Sequence, residues 1–151
     1  MVCLGDSFDD LQASQNLLPQ AITQLNTLMA GRRWIWIEGN HDPGPVEFGG
    51  SHMRQVSLKG ITLRHIAEEV TGKLEISGHY HPKTRLSIKG RWLTRPCFLI
   101  DATRVIMPSF GTYTGGLDCT NDAFSSLMDD KARAILTGHR PYIIPMPRSG
   151  G

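Results

Sequence analysis

Three times along this chain a short strand-like run stops at a glycine and hands over to residues that can bind a metal or move a proton. Val2-Cys3-Leu4 runs into Gly5-Asp6, Trp34-Ile35-Trp36-Ile37 into Gly39-Asn40-His41-Asp42, and Leu74-Glu75-Ile76-Ser77 into Gly78-His79-Tyr80-His81. Short apolar runs rich in β-branched and aromatic side chains read as buried strands. A buried strand ending in a polar loop puts that loop at the rim of a sheet, where a rigid scaffold holds reactive groups. The pattern predicts a layered α/β (α+β) fold, a β-sandwich with flanking helices whose site is built by loops at one sheet edge.

The segments between the motifs fill in this frame. Pro19 suits a first helical turn, Ile22, Leu25, Leu28 and Met29 recur at helical spacing, and Gly31 stops the run, so a surface helix with one buried face is expected. Pro43-Gly44-Pro45 and Gly49-Gly50 mark a flexible connection. Residues 55–58 and 61–65 read as strands joined at Lys59-Gly60, and a second hairpin turns near Lys89-Gly90. Val105-Ile106-Met107 supplies another strand ahead of the glycine-rich stretch 111–116. A short helix is expected around 122–128, and the proline-rich tail is expected to be irregular.

At 151 residues, 40% hydrophobic and 20% charged, the chain has the size and balance of one globular domain spanning 1–151. No segment approaches the roughly 18 apolar residues of a membrane span. Met1 to Asp6 carries neither a basic leader nor a long apolar run, so the expected location is cytoplasmic. Cys3, Cys97 and Cys119 are widely spaced, which argues against a disulfide framework or a zinc ribbon. A net charge of +2 is too small to imply nucleic-acid binding by itself.

Taken singly, the polar residues have ordinary roles: Asp6 can cap a turn, Asn40 can adopt a left-handed loop conformation, and His65 can end a strand. Their combination suits a specific chemistry. Hydrolysing a phosphate ester at neutral pH needs a hydroxide, neutralisation of the phosphoryl oxygens and a proton for the leaving oxygen, and a pair of metal ions supplies the first two. A carboxylate, imidazoles and an amide oxygen are suitable ligands for manganese, iron or zinc.

Gly5-Asp6, Gly39-Asn40-His41-Asp42, the isolated His65 and Gly78-His79-Tyr80-His81, in that order, resemble the calcineurin-like metallophosphoesterases. The resemblance implies two divalent metal ions, manganese first among the candidates, with Asp6 bridging them. Asn40, His65 and His79 would complete one ion and His81 would serve the other. It places His41 off the metals as general acid for the leaving group, oriented and made more basic by Asp42, with Asn40 and His41 touching the substrate.

Gly5-Asp6-Ser7-Phe8, Leu63-Arg64-His65-Ile66-Ala67 and the stretch from Phe110 to Leu117 further resemble one bacterial branch, the ligase-associated DNA damage response endonucleases called PdeM. That resemblance covers nearly the whole chain and implies DNA phosphodiester hydrolysis in repair, with a DNA ligase and a helicase as functional neighbours. Asp9 stands where the branch carries histidine. The family also places an Asp-x-His motif on a strand ahead of the bridging aspartate. The chain opens at Met1 without it, so the expectation is an N-terminally incomplete domain with one full metal site and half of the other. Two further readings stay open: a phosphatase or nucleotide hydrolase on the same fold, and a catalytically silent metal-binding module.

Lys83, Arg85, Lys89, Arg91 and Arg95 follow the last motif with no intervening acid. On a hairpin, Lys83, Arg85 and Lys89 are expected to share one face, with Leu86, Ile88 and Trp92 on the apolar side. Such an edge suits a nucleic-acid backbone, and equally a solvated strand. His52 and His139 fall outside the ordered motifs and receive no metal role. Trp34 and Trp36 are expected to anchor their strand.

Overall fold

The computed structural model describes residues 1–69, 72–111 and 114–149, and the side chain of Ile88 lies outside that description, as do Thr112 and Tyr113 of the glycine-rich motif. Along the chain run β1 (Val2–Cys3), α1 (Leu11–Gln15), α2 (Pro19–Met29), β2 (Ile35–Ile37), β3 (Ser51–Met53), β4 (Gln55–Leu58), β5 (Ile61–Arg64) and β6 (Leu74–Ser77). There follow β7 (Lys83–Ile88), β8 (Arg91–Ile100), β9 (Arg104–Ile106), α3 (Asp122–Leu127), β10 (Arg133–Leu136) and β11 (Tyr142–Pro145). The result is a mixed α/β fold dominated by sheets, with few helices. None of its described helices is long and apolar enough to cross a membrane.

Two sheets carry the motifs. The smaller has the order β1-β2-β3 and is parallel throughout, with Val2 opposite Ile35 and Ile35 opposite Ser51. Its middle strand is buried at every position, as an apolar run in a parallel sheet should be. The larger sheet has the order β11-β10-β8-β9-β6-β5-β4, with β7 paired to the outer half of β8. Here β5, β6 and β9 run parallel. Loops that follow β1, β2, β5 and β6 therefore hold all the residues singled out from the motifs.

The two turns read from the sequence form with the expected geometry. Lys59 and Gly60 have φ of 50° and 83°, and Lys89 and Gly90 have 50° and 76°, the paired positive φ that matches the twist of a tight hairpin. Trp34, Trp36 and Val46 form one apolar cluster, against which Leu25 and Met29 of α2 pack. Leu28 departs from its expected burial: it is 54% exposed, and no residue of α2 is fully buried. A larger cluster includes Cys97 and Leu99 of β8, Ile106 of β9 and Phe124 of α3.

The tail departs from expectation more fully. Ala134 and Leu136 of β10 are buried, and β11 pairs along the whole of it, so the segment expected to be irregular completes the sheet. Pro145 is tolerated because β11 is an edge strand whose outer amides need no partner.

Beneath the loops lies a buried charge cluster. Glu75 of β6, with its side chain 1% exposed, faces Arg104 Nε at 3.0 Å and Arg64 Nε at 3.2 Å. Arg104 also donates to the carbonyls of Leu127 and Glu68, and Arg64 pairs with Glu68. These contacts tie together β5, β6, β9 and the end of α3. Glu75→Gln removes the only charge balancing the Arg104 guanidinium among these contacts, and breaking a buried pair on one side is strongly destabilising. The expected loss is about 3 kcal/mol or more, read as a shift in the urea unfolding midpoint.

Candidate metal centre

Two glycines allow the loops to meet. Gly5 has φ of 87°, and a Cβ there would fall 2.6 Å from His65 Nδ1. At Gly39 a Cβ would fall 2.2 Å from the Asp6 backbone nitrogen and 2.5 Å from Asp42 Oδ1. Neither position admits a side chain while the loops keep this packing. Next to them, Asp6, His79 and His81 take left-handed φ of 48°, 65° and 46°. Such conformations are uncommon outside glycine, and they cluster where surrounding structure enforces them for a functional geometry.

Asp42 is the enforcing residue for the first loop. Its buried carboxylate accepts from Asp6 N at 2.9 Å and Gly39 N at 3.0 Å through Oδ1, and from Ser7 N at 2.8 Å and Phe8 N at 3.4 Å through Oδ2. All of these hydrogen bonds are to backbone amides, and none reaches the His41 ring. The structure thus gives Asp42 a different place from the one expected: it fastens the β1 loop to the β2 loop. Asp6 Oδ1 accepts from His41 N at 2.9 Å, which leaves Oδ2 for the centre.

The centre itself forms around His65, which is 4% exposed. Its Nδ1 stands 2.7 Å from the Leu4 carbonyl, so Nδ1–H donates there, and in a neutral ring the lone pair is then at Nε2. Around that lone pair stand Asn40 Oδ1 at 3.0 Å, Asp6 Oδ2 at 3.2 Å and His79 Nδ1 at 3.2 Å. Two of these three are acceptors only, and a cation among them removes the repulsion between lone pairs. Ligand atoms about 2.1 Å from a metal and at right angles lie about 3.0 Å apart, close to these separations. The residues present therefore fit a divalent ion of the manganese, iron or zinc type, and Asp6, His65 and His79 place one ligand atom each within 4.8 Å of one another.

Burial lowers the pKa of His79, with the neighbouring His65 acting in the same direction. Burial likewise lowers that of His81, against the opposing pull of Asp6. Both shifts favour the neutral imidazole that a metal requires. His81 is half-buried on the same loop and its ring makes no hydrogen bond among the described residues. His41 and Asn40 lie at the exposed rim. Beside Asn40 and His65 opens a cleft of about 480 Å³, also lined by Glu38, Arg54, Arg64 and Glu68. His52 stacks near Trp36, with ring centroids 6.3 Å apart, and His139 is exposed.

Sequence reasoning singled out Asp6, Asn40, His65 and His79, which the fold brings together, but passed over their supports. The Leu4 carbonyl that sets the His65 tautomer left no trace in side-chain identity. The Glu75 cluster was visible only as an acid inside a strand.

No family model matches the chain, and no curated protein matches it. Among solved structures it is similar to the crystal structure of Pseudomonas putida nuclease MPE, with a TM-score of 0.71 and 23% sequence identity over 95% of this chain and 68% of that one. At this identity the likeness establishes a shared fold.

Asp42→Asn turns one acceptor oxygen into a donor facing backbone N–H groups. It is expected to weaken manganese binding by about 10- to 100-fold, as loss of groups that orient metal ligands does, read by calorimetric titration. Gly39→Ala is expected to cost about 2 kcal/mol or more through overpacking, measured by thermal unfolding.

Proposed function

We propose that the chain is a metal-dependent phosphodiesterase that hydrolyses DNA. The observation that carries this reading is the convergence of Asp6 Oδ2, Asn40 Oδ1 and His79 Nδ1 on the lone pair of His65 Nε2, an arrangement that calls for a cation. The likeness to a structure named as a nuclease supports the substrate class. In this reading Asp6, Asn40, His65 and His79 hold one divalent ion, and Asp6 with His81 serves a second, with manganese the first choice. The ions, when bound, supply Lewis acidity and lower the pKa of a water molecule.

The chain's own groups do the remaining work. His41 is fixed at its backbone, where its N–H donates to Asp6, while its ring stands at the exposed rim. That position suits a general acid that protonates the leaving oxygen, with Asn40 beside it contacting the substrate. Asp42 acts through the loop that it fastens. The resemblance of the motifs to repair endonucleases supports a cytoplasmic repair setting, with a DNA ligase and a helicase as functional neighbours.

A second reading, a phosphatase or nucleotide hydrolase, rests on the cleft, whose volume of about 480 Å³ lies within the range of small-ligand pockets. A panel of single-stranded DNA, bis(p-nitrophenyl) phosphate, p-nitrophenyl phosphate and nucleoside phosphates with manganese decides between them. Diester cleavage abolished by chelator is the expected result, and preference for monoesters favours the second reading. Manganese binding without turnover on any of them points to a silent module. His65→Ala should lose both metal binding and turnover. His41→Ala should keep the metal and slow turnover by about 100-fold or more, most with poor leaving groups; loss of metal there would make His41 a ligand.

A further inference from the structure

The β7–β8 hairpin begins at Lys83, two residues beyond His81, and its register sorts its side chains in a way the sequence did not suggest. The two-residue turn sets Arg91 opposite Ile88, so Trp92 faces Ser87 and Thr94 faces Arg85. Directly opposed residues share a face. Trp92 therefore lies on the same face as Lys83 and Arg85, not on the apolar side with Leu86 as expected. It is 68% exposed, and the Arg85 guanidinium lies 4.9 Å from its ring centroid.

The opposite face is accounted for structurally. Thr84 is 1% exposed, Leu86 packs against the larger apolar cluster, and Arg95 donates to the Thr137 carbonyl at 3.2 Å. Among the described residues the Trp92 indole is left with Arg85 over its ring and remains mostly exposed. Lysine and arginine alone would serve to keep an edge strand from pairing with another chain. An exposed tryptophan works against that purpose and needs a different reason.

From this we infer that the outward face of the hairpin is a docking platform for single-stranded nucleic acid, with a base stacking on Trp92 and backbone phosphates held by Arg85 on that face and Lys89 in its turn. The inference rests on the nucleic-acid reading of the adjacent centre and names how that substrate is held. The charge fits, since Lys83 and Arg85 lie on this face, Lys89 stands in its turn, and 83–100 holds no acid. Stacking fits too, because an unpaired base offers a π-face to an exposed indole and an arginine can stack on the other side. Duplex DNA keeps its bases inside and gives Trp92 nothing to stack on. Ser87, across from Trp92, lies six residues beyond His81, about 20 Å of strand at about 3.3 Å per residue.

The test uses the full chain with manganese and a labelled phosphorothioate oligothymidylate of about twelve nucleotides, within the about 4–16 nucleotides that single-strand-binding grooves occupy, which resists cleavage during a binding titration. Trp92→Ala is expected to weaken binding about tenfold, and Trp92→Phe to restore most of the loss. An abasic oligomer of equal charge should bind wild type about as weakly as the thymidylate binds Trp92→Ala. Arg85→Ala should weaken both oligomers. Binding by Trp92→Ala within twofold of wild type, or equal binding of the abasic and thymidylate oligomers, overturns the inference. Hydrolysis of bis(p-nitrophenyl) phosphate, assayed separately, reports on the metal centre alone, so a failed hydrolytic reading leaves the binding result interpretable.

Discussion

The buried carboxylate of Asp42 is the constraint on which the rest of the centre depends. Four backbone amides from two separate loops converge on its two oxygens. A carboxylate taking several N–H donors is held in one orientation, and the loops are fixed in turn. Asp6 is thereby kept at a left-handed φ of 48° and its Oδ2 is aimed at His65. Neither loop could reach this arrangement alone, because the donors satisfied by Asp42 belong to Gly39 on one side and to Asp6, Ser7 and Phe8 on the other.

A second fastening joins the sheets. The His65 ring spans from the end of β5 to the Leu4 carbonyl just past β1, so one side chain links the larger sheet to the smaller and has its tautomer chosen by that link. Backbone from β6 joins the same point, where Gly78 N donates to the His65 carbonyl at 3.0 Å. Strained backbone at Asp6, His79 and His81 costs free energy that must be offset nearby. Here the offset comes from the amides gathered by Asp42 and from the Glu75 cluster, which clamps the two strands that deliver His65 and His79.

Much of this was legible in the sequence because its causes are local. A Lys-Gly pair between two alternating runs forces a tight turn, and both turns formed where expected. Gly5 and Gly39 mark places where a Cβ has no room, which is why glycine preceding a polar motif was so informative. What escaped was set by pairing between distant segments. β10 and β11 look like a proline-broken tail until β8 supplies a partner, and β3 exists because Ser51–Met53 lies beside β2. The family resemblance implied that Asp42 serves the His41 ring; the hydrogen-bond partners of its carboxylate are 34 to 36 residues away or on its own loop. Trp92 was assigned to the wrong face because parity along one strand does not carry across a hairpin whose turn shifts it.

The same reasoning separates ligand geometry from acid–base chemistry within the centre. A ring that binds a metal must be neutral and directed inward. The Leu4 carbonyl fixes the tautomer and direction of His65, and His79 and His81 are biased towards the neutral form by burial. A ring that donates a proton to a leaving oxygen must instead reach solvent and substrate while its main chain stays fixed. Among the histidines of these motifs, His41 alone is exposed, and its N–H is anchored to the same Asp6 whose other oxygen faces the centre. One aspartate thus sets the distance between the place where charge would be neutralised and the place where a proton would be delivered.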